Sequence, residues 1–160
     1  MKINLLLHAI HHDENDLAHT LLHVAERHKA DHEIYHLGRD LARWSQDHVR
    51  TLATLGERFG AHLDPEPVGN LEMAARARHT TAGLTGRRPE AALLLLHDLR
   101  EIYTKASGAS VDWELLGQAV QGLRGTGLLN AVQLCHPDTR RQLHWANGKL
   151  KESAAQILVS

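Results

Sequence analysis

The sequence predicts an all-α protein built as a single four-helix bundle, and three observations lead to that class. The chain has 160 residues, and single domains usually contain about 100–200 residues. Hydrophobic residues make up 42% of it and aromatic residues only 4%, with Leu and Ala dominating, a bias that favours helices over strands. Apolar residues recur with helical spacing along most of the chain. We therefore expect no β-sandwich, barrel or parallel α/β core.

The first two periodic segments predict a helical hairpin over residues 4–59. Residues 4–28 and 31–59 each carry an apolar stripe, and residues 29–30 connect them. A connection of this length places two helices antiparallel to each other. Gly60 is expected to end the second helix, because Gly commonly follows a helix C-terminus.

Residues 60–88 are predicted to form a long crossover between the second and third helices. Pro and Gly recur in this stretch, which is too long for a tight turn. A short helix is expected within it at about residues 71–79, with Asn70 as its N-cap. The crossover would run the length of the bundle and connect the first pair of helices to the second pair.

Residues 89–158 predict the second helical hairpin. Pro89 occupies the favoured first position of a helix, and Gly108 is expected to interrupt that helix before helical character resumes. The last helix is predicted over about residues 128–158, with Pro137 kinking it or starting a new segment. The whole chain is therefore expected to be one domain of two hairpins and a crossover.

Composition and charge argue against several functional classes. The 18 basic and 19 acidic residues nearly balance, so charge gives no case for nucleic-acid binding. No apolar run approaches the roughly 18–20 residues of a membrane span. A single cysteine, Cys135, precludes an intramolecular disulfide. The first ten residues do not form a secretory signal, so a cytoplasmic protein is expected.

The 14 His residues are the unusual feature of the composition. Protonation at about pH 6 would turn a chain of net charge −1 markedly cationic. Three pairs have i, i+4 spacing, which lets one helix chelate Zn, Ni or Cu. They are His8/His12, His19/His23 and His32/His36. We expect these pairs to face solvent and to bind such metals only loosely, because no third ligand is fixed beside them.

Polar residues on or near the apolar stripes are the candidate site residues. At helical spacing, Glu14 lies at the edge of the first stripe and His48 in the middle of the second. On the third helix Asp98 lies at the edge of the stripe and Glu101 further round. The fourth helix has no carboxylate at its central core positions. A lone His on an apolar face is more often a hydrogen-bonded core residue than a metal ligand, so both interpretations of His48 stay open.

The order of hairpin, crossover and hairpin resembles the ferritin-like superfamily of four-helix bundles. The resemblance is carried mostly by HHDENDLAHTLLHVAERH and LARWSQDHVRTLATLGERFG, which also look like small bacterial ferritin-like proteins associated with stress responses. In that family a Glu from each of two helices and a Glu-x-x-His from each of the other two hold a pair of metal ions. The resemblance implies an antiparallel bundle with its site at the centre.

Residue by residue, the resemblance implies an incomplete metal site. Glu14 matches the Glu of the first helix and His48 the His of the first Glu-x-x-His, but Ser45 stands in place of that motif's Glu. On the third helix Asp98 or Glu101 would stand in for a Glu. The fourth helix has no Glu-x-x-His, and the comparable Asp138 and Arg141 are expected to face away.

The function implied is that of a ferritin-like bundle without a complete di-iron site. We expect no catalysis and no cofactor, with action through protein association, as a homodimer or with another protein. The alternative is a metal-binding member, an oxidase or metal-handling protein, that holds iron, manganese or zinc on Glu14, His48 and a carboxylate from Asp98 or Glu101. A haemerythrin-like oxygen carrier is disfavoured, because only His48 is clearly inward. Cys135 and His136 do not make a nucleophilic pair, since adjacent helical residues point apart.

Overall fold

The computed structural model describes residues 2–67 and 88–159, which form four long α-helices, two short 3₁₀-helices and no strand. The long helices are α1 (Ile3–Arg27), α2 (His32–Gly56), α3 (Arg88–Ala119) and α4 (Leu128–Val159). The 3₁₀-helices are Glu57–Phe59 and Val120–Gly122. The prediction of an all-α protein is confirmed. None of the helices within the described ranges has the length and apolarity needed to cross a bilayer.

The ends of the helices follow from local chemistry. The side chain of Asp31 caps α2 by accepting a hydrogen bond from the backbone N–H of Ile34 at 3.1 Å. After α2 and its 3₁₀ turn, Gly60 adopts φ of 68°, a left-handed conformation that Gly reaches without steric cost. Gly60 therefore ends the helical segment that α2 and its 3₁₀ turn form together, at the position that the sequence predicts.

Each helix packs mainly against two others. α1 contacts α2 and α3, and α4 contacts α3 and α2. The closest approach of α1 and α2 is at Gly38, where a Cβ atom would lie 3.0 Å from the Cβ of Ala25. Gly38, rather than its neighbour Leu37, therefore faces α1. This accounts for the 37% exposure of Leu37, although helical spacing alone places Leu37 in the apolar stripe of α2.

The core consists of two apolar clusters with a polar layer between them. On α1, Leu7 and Ile10 belong to one cluster, whereas Leu17 and Leu21 belong to the other. Glu14 lies between these pairs along α1 and is 0% exposed. The other buried polar residues of the layer are Ser45 and His48 on α2, and Thr139 and Gln142 on α4. The layer thus crosses the middle of the bundle.

Two predicted breaks do not interrupt their helices. Helix α3 runs through Gly108, because a Gly inside a helix costs only about 1 kcal/mol and its neighbours Ala106 and Ala109 are fully buried. Helix α4 runs through Pro137, whose side chain is exposed while Cys135 and Thr139 on either side pack inward. The prediction that the helix breaks at Gly108 is therefore wrong. The predicted short helix at 71–79 lies outside the described residues, as does most of the predicted crossover.

Candidate functional site at the centre of the bundle

The carboxylate of Glu14 is the centre of the polar layer. Its Oε1 atom accepts three hydrogen bonds, from Nδ1 of His48 at 3.0 Å, Nε1 of Trp113 at 2.7 Å and Oγ1 of Thr139 at 2.9 Å. These donors come from α2, α3 and α4, one from each of the other helices. Side chains from all four helices therefore meet at this single oxygen atom.

His48 links the buried carboxylate to the edge of the bundle. Its ring is 3% exposed; Nδ1 faces Glu14, and Nε2 lies 3.4 Å from Oδ2 of Asp138, a residue whose side chain is 29% exposed. Both ring nitrogens face carboxylate oxygens, which only accept hydrogen bonds, so this arrangement suits the doubly protonated, charged ring. The ring also stands edge-on to Trp113, with 5.9 Å between the ring centroids.

The pKa values of Glu14 and His48 move in opposite directions and favour the ion pair. Burial alone would raise the pKa of Glu14, but the charge of His48 and hydrogen bonds from His48 and Trp113 outweigh it and lower that pKa. Burial alone would lower the pKa of His48, but the charge of Glu14 and hydrogen bonds to Glu14 and Asp138 raise it. Both shifts therefore favour the charged form of each group.

These shifts make the stabilisation by the pair dependent on pH. The contribution of Glu14 is present above its ordinary pKa of 4.5 and is lost as the pH falls through its lowered value. The contribution of His48 is fully present below 6.5 and is lost as the pH rises through its raised value. We expect His48→Gln to cost more unfolding free energy at about pH 5.5 than at about pH 9, as measured by urea denaturation.

The matched control for this experiment is His144→Gln, which changes an exposed His on α4. Its effect on the free energy of unfolding should be small at both pH values. An equal cost of His48→Gln at the two pH values, or a larger cost at the higher one, would mean that His48 is not charged in the fold.

The rest of the layer is held by an amide. Nε2 of Gln142 donates to the backbone carbonyl of Leu41 at 2.8 Å and to Oγ of Ser45 at 2.9 Å. Ser45 also lies close enough to Glu14 to contribute to its lowered pKa. Two buried oxygens, Oε2 of Glu14 and Oε1 of Gln142, have no hydrogen-bond partner within the described part of the chain.

The inward polar pair on α4 lies one residue beyond the pair that is comparable by sequence and is expected to face away. Thr139 and Gln142, three residues apart, point into the centre of the bundle. Asp138 and Arg141 are the residues that stand in the place of the Glu-x-x-His motif by sequence. Asp138 nevertheless reaches the site from its margin, because it adjoins Thr139 and its carboxylate extends to His48. The prediction that Asp138 faces away is therefore wrong.

Asp98 and Glu101 do not join Glu14 and His48. Asp98 is 1% exposed and accepts hydrogen bonds from Nη1 of Arg27 at 3.0 Å and Nε2 of His28 at 2.7 Å. Arg27 lies about 20 Å along α1 from Glu14 at the helical rise per residue. The expected site of Glu14, His48 and a carboxylate of α3 is therefore not formed, because the register of the helices keeps that carboxylate far from Glu14 and His48.

The separate group around Asp98 is a poor cation site. Within the described ranges, one group of three His, Cys, Asp or Glu side chains lies close enough together to share a metal ion. It consists of His97, Asp98 and Glu101. Burial would raise the pKa of Asp98, but hydrogen bonding to His28 and the charge of Arg27 lower it. Lys105 lies 3.1 Å from Glu101. Protein cations already compensate both carboxylates, which leaves little attraction for a metal.

Trp113 is the central residue that sequence reasoning missed. It is 0% exposed and continues the buried stripe of Ile102, Ala106 and Ala109 across Gly108. The uninterrupted helical spacing from Ile102 to Trp113 is the signal that could have found it. The expected break at Gly108 hid that signal.

The remaining candidates do not form a reactive centre. Cys135 is buried, and burial together with the charge of Glu14 raises the pKa of its thiol to about 12, so the thiolate nucleophile is suppressed. His136 does not contact a thiol; its Nε2 lies 2.9 Å from Oγ of Ser110. The pairs His8/His12 and His32/His36 are exposed, as predicted, whereas His19 and His23 are only partly exposed. The rings of His32 and His36 stack with centroids 6.3 Å apart.

The described residues define a class of protein, an all-α fold of four long helices with a buried ion pair in a polar layer. Comparisons of the chain with protein-family models, with curated proteins and with solved structures found no match.

Proposed function

We propose that the chain is a ferritin-like bundle in which a hydrogen-bonded polar layer takes the place of a di-metal site. The observation that carries the proposal is the saturation of Glu14 Oε1 by three protein donors, from His48, Trp113 and Thr139. A carboxylate oxygen that accepts three hydrogen bonds has little capacity left for a metal ion. In this proposal the protein is not an enzyme and needs no cofactor.

The residues of the layer do not fit a pair of metal ions. A di-metal site of this kind needs four carboxylates and two His side chains. Around Glu14 and His48 the inward positions hold Ser45, Thr139 and Gln142, which are weak ligands for iron. Asp138 adds a single carboxylate at the margin. The layer is suited to holding the helices in register rather than to redox chemistry.

The antiparallel arrangement with a long crossover is part of this proposal. Gly38 on α2 lies against Ala25 on α1. Ten residues later on α2, His48 contacts Glu14, which is eleven residues earlier on α1. This opposed numbering supports antiparallel packing of the first pair. The short connection between α3 and α4 supports the same packing for the second pair.

Protein association is proposed as the role of the bundle, most simply as a homodimer. Val111 and Leu115 on α3 and Leu134 on α4 are each more than half exposed. A groove of about 470 Å³ between these helices is lined by Val111, Leu115 and Val132 among others. Exposed apolar surface of this kind is typical of interaction sites. Neither nucleic acid nor a membrane is a proposed partner, and a cytoplasmic location stays a prediction.

The alternative is a metal-binding member of the same superfamily that uses Glu14 and His48. The observation that favours it is the buried Oε2 atom of Glu14, which has no hydrogen-bond partner in the described part of the chain. Asp138 does not complete a set of three ligands, because it faces Nε2 of His48 whereas Glu14 faces Nδ1 on the other side of the ring.

Metal content decides between the two proposals. We expect elemental mass spectrometry of untagged, desalted protein, never exposed to nickel, to find far less than one metal ion per chain. Any trace bound by surface His residues should be the same in Glu14→Ala and in the control Glu66→Ala, which changes an exposed Glu. Near-stoichiometric iron, manganese or zinc that disappears only in Glu14→Ala would instead establish the metal-binding alternative.

A further inference from the structure

A shallow apolar groove lies between α3 and α4, far along the helices from Glu14. It has a volume of about 420 Å³. Its lining consists of Leu96, His97, Arg100, Leu150, Lys151, Ala154 and Leu158. Almost all of the surface inside the groove is apolar, and Leu158 is 65% exposed to solvent. Apolar surface therefore stands open to solvent at this place.

The charged groups on the groove are of one sign. Arg100 and Lys151, one from each helix, are exposed, and none of the seven lining residues is acidic. The nearby carboxylates are already paired within the protein. Asp98 binds Arg27, Glu101 lies 3.1 Å from Lys105, and Glu152 lies 3.2 Å from Lys149. The exposed charges that line the groove are therefore basic.

We propose that this groove binds an aliphatic carboxylate, an unbranched hydrocarbon chain that ends in a single anionic group. The chain would lie on Leu96, Leu150 and Ala154, which removes apolar surface from water on both sides of the contact. The carboxylate would lie against Arg100 and Lys151. This proposal is independent of the metal question, because the groove shares no residue with the polar layer.

The size and charge of the groove favour this occupant over a protein. Small-molecule pockets usually measure about 300–1,000 Å³, whereas a stable protein interface uses about 20–30 residues from each partner. The seven lining residues fall well short of such an interface. A second copy of the chain docked here about a two-fold axis would bring Arg100 and Lys151 close to their own equivalents, and like charges repel.

Isothermal titration calorimetry with sodium decanoate, below the concentration at which it forms micelles, tests the proposal. We expect saturable binding of one decanoate per chain. Decyltrimethylammonium has the same chain length and the opposite charge, and it should bind at least about tenfold more weakly. The charge-reversed variant Arg100→Glu/Lys151→Glu should also lose at least about tenfold in affinity for decanoate.

The matched control is Arg124→Glu/Arg140→Glu, which makes the same change of charge at two exposed positions away from the groove. It should bind decanoate almost as the parent protein does. Circular dichroism of each variant should show the same helix content as the parent protein. Ala154→Trp provides an independent test, because a large ring should fill the groove and abolish binding without altering net charge.

Three results would overturn the proposal. The first is no heat of binding for decanoate. The second is equal affinity for decanoate and decyltrimethylammonium, which would mean that charge has no role in the groove. The third is a concentration-dependent dimer in analytical ultracentrifugation that Ala154→Trp dissociates, which would make the groove an interface between copies of the chain.

Discussion

Replacing Glu14 with Leu is expected to lower the free energy of unfolding by about 3–5 kcal/mol, because it leaves the charge of His48 buried without its main partner. The hydrogen bonds from Trp113 and Thr139 to the carboxylate are lost in the same step. Urea denaturation, followed by circular dichroism, measures the change. The size of the expected loss follows from the complete burial of the carboxylate.

The double variant Glu14→Leu/His48→Leu tests whether the cost comes from the unpaired charge. We expect it to be more stable than the sum of the two single changes predicts, since the second substitution removes the stranded imidazolium. Glu66→Leu changes an exposed Glu and should stay within about 0.5 kcal/mol of the parent protein. Strict additivity of the two single effects would mean that Glu14 and His48 are not coupled.

Replacing Trp113 with Ala is expected to cost about 3–5 kcal/mol of unfolding free energy, because the largest fully buried side chain leaves a cavity. The indole packs in the apolar cluster that includes Leu7, Leu52 and Leu116. Chemical denaturation monitored by the fluorescence of Trp44 and Trp145 would report the loss, since both remain in the variant.

The variant Trp113→Phe separates the two roles of this side chain. Phe keeps most of the ring volume but cannot donate to Glu14, so the expected cost is about 1–2 kcal/mol. If Trp113→Ala costs no more than Trp113→Phe, the cavity contributes nothing, and the packing described for this end of the core is incorrect.

Much of the architecture follows from helical spacing in the sequence. The apolar stripes predict the long helices, and Asp31 and Gly60 stand at boundaries that their chemistry explains. The inward positions of Glu14 and His48 were also predictable, because each shares a face with apolar residues of its own helix. Spacing within one helix was sufficient for these conclusions.

Contacts between helices were not predictable in the same way. The angle of a residue around its own helix does not say which residue of a neighbouring helix lies at the same height. Asp98 has the inward character expected of it, but it meets Arg27 and His28 at the end of α1 rather than Glu14 at its middle. The angle of Asp138 around α4 predicts an outward position, yet its side chain reaches His48 from the margin of the site.

The sequence by itself determined the helical class, the inward faces of the helices and the presence of a buried carboxylate with a nearby imidazole. Only the tertiary structure decided what surrounds that carboxylate: Trp113, Thr139 and Ser45 rather than further metal ligands. The physical reason is that helical periodicity is a local property of each segment. The register of packed helices, in contrast, depends on how side chains from all four fill the same space.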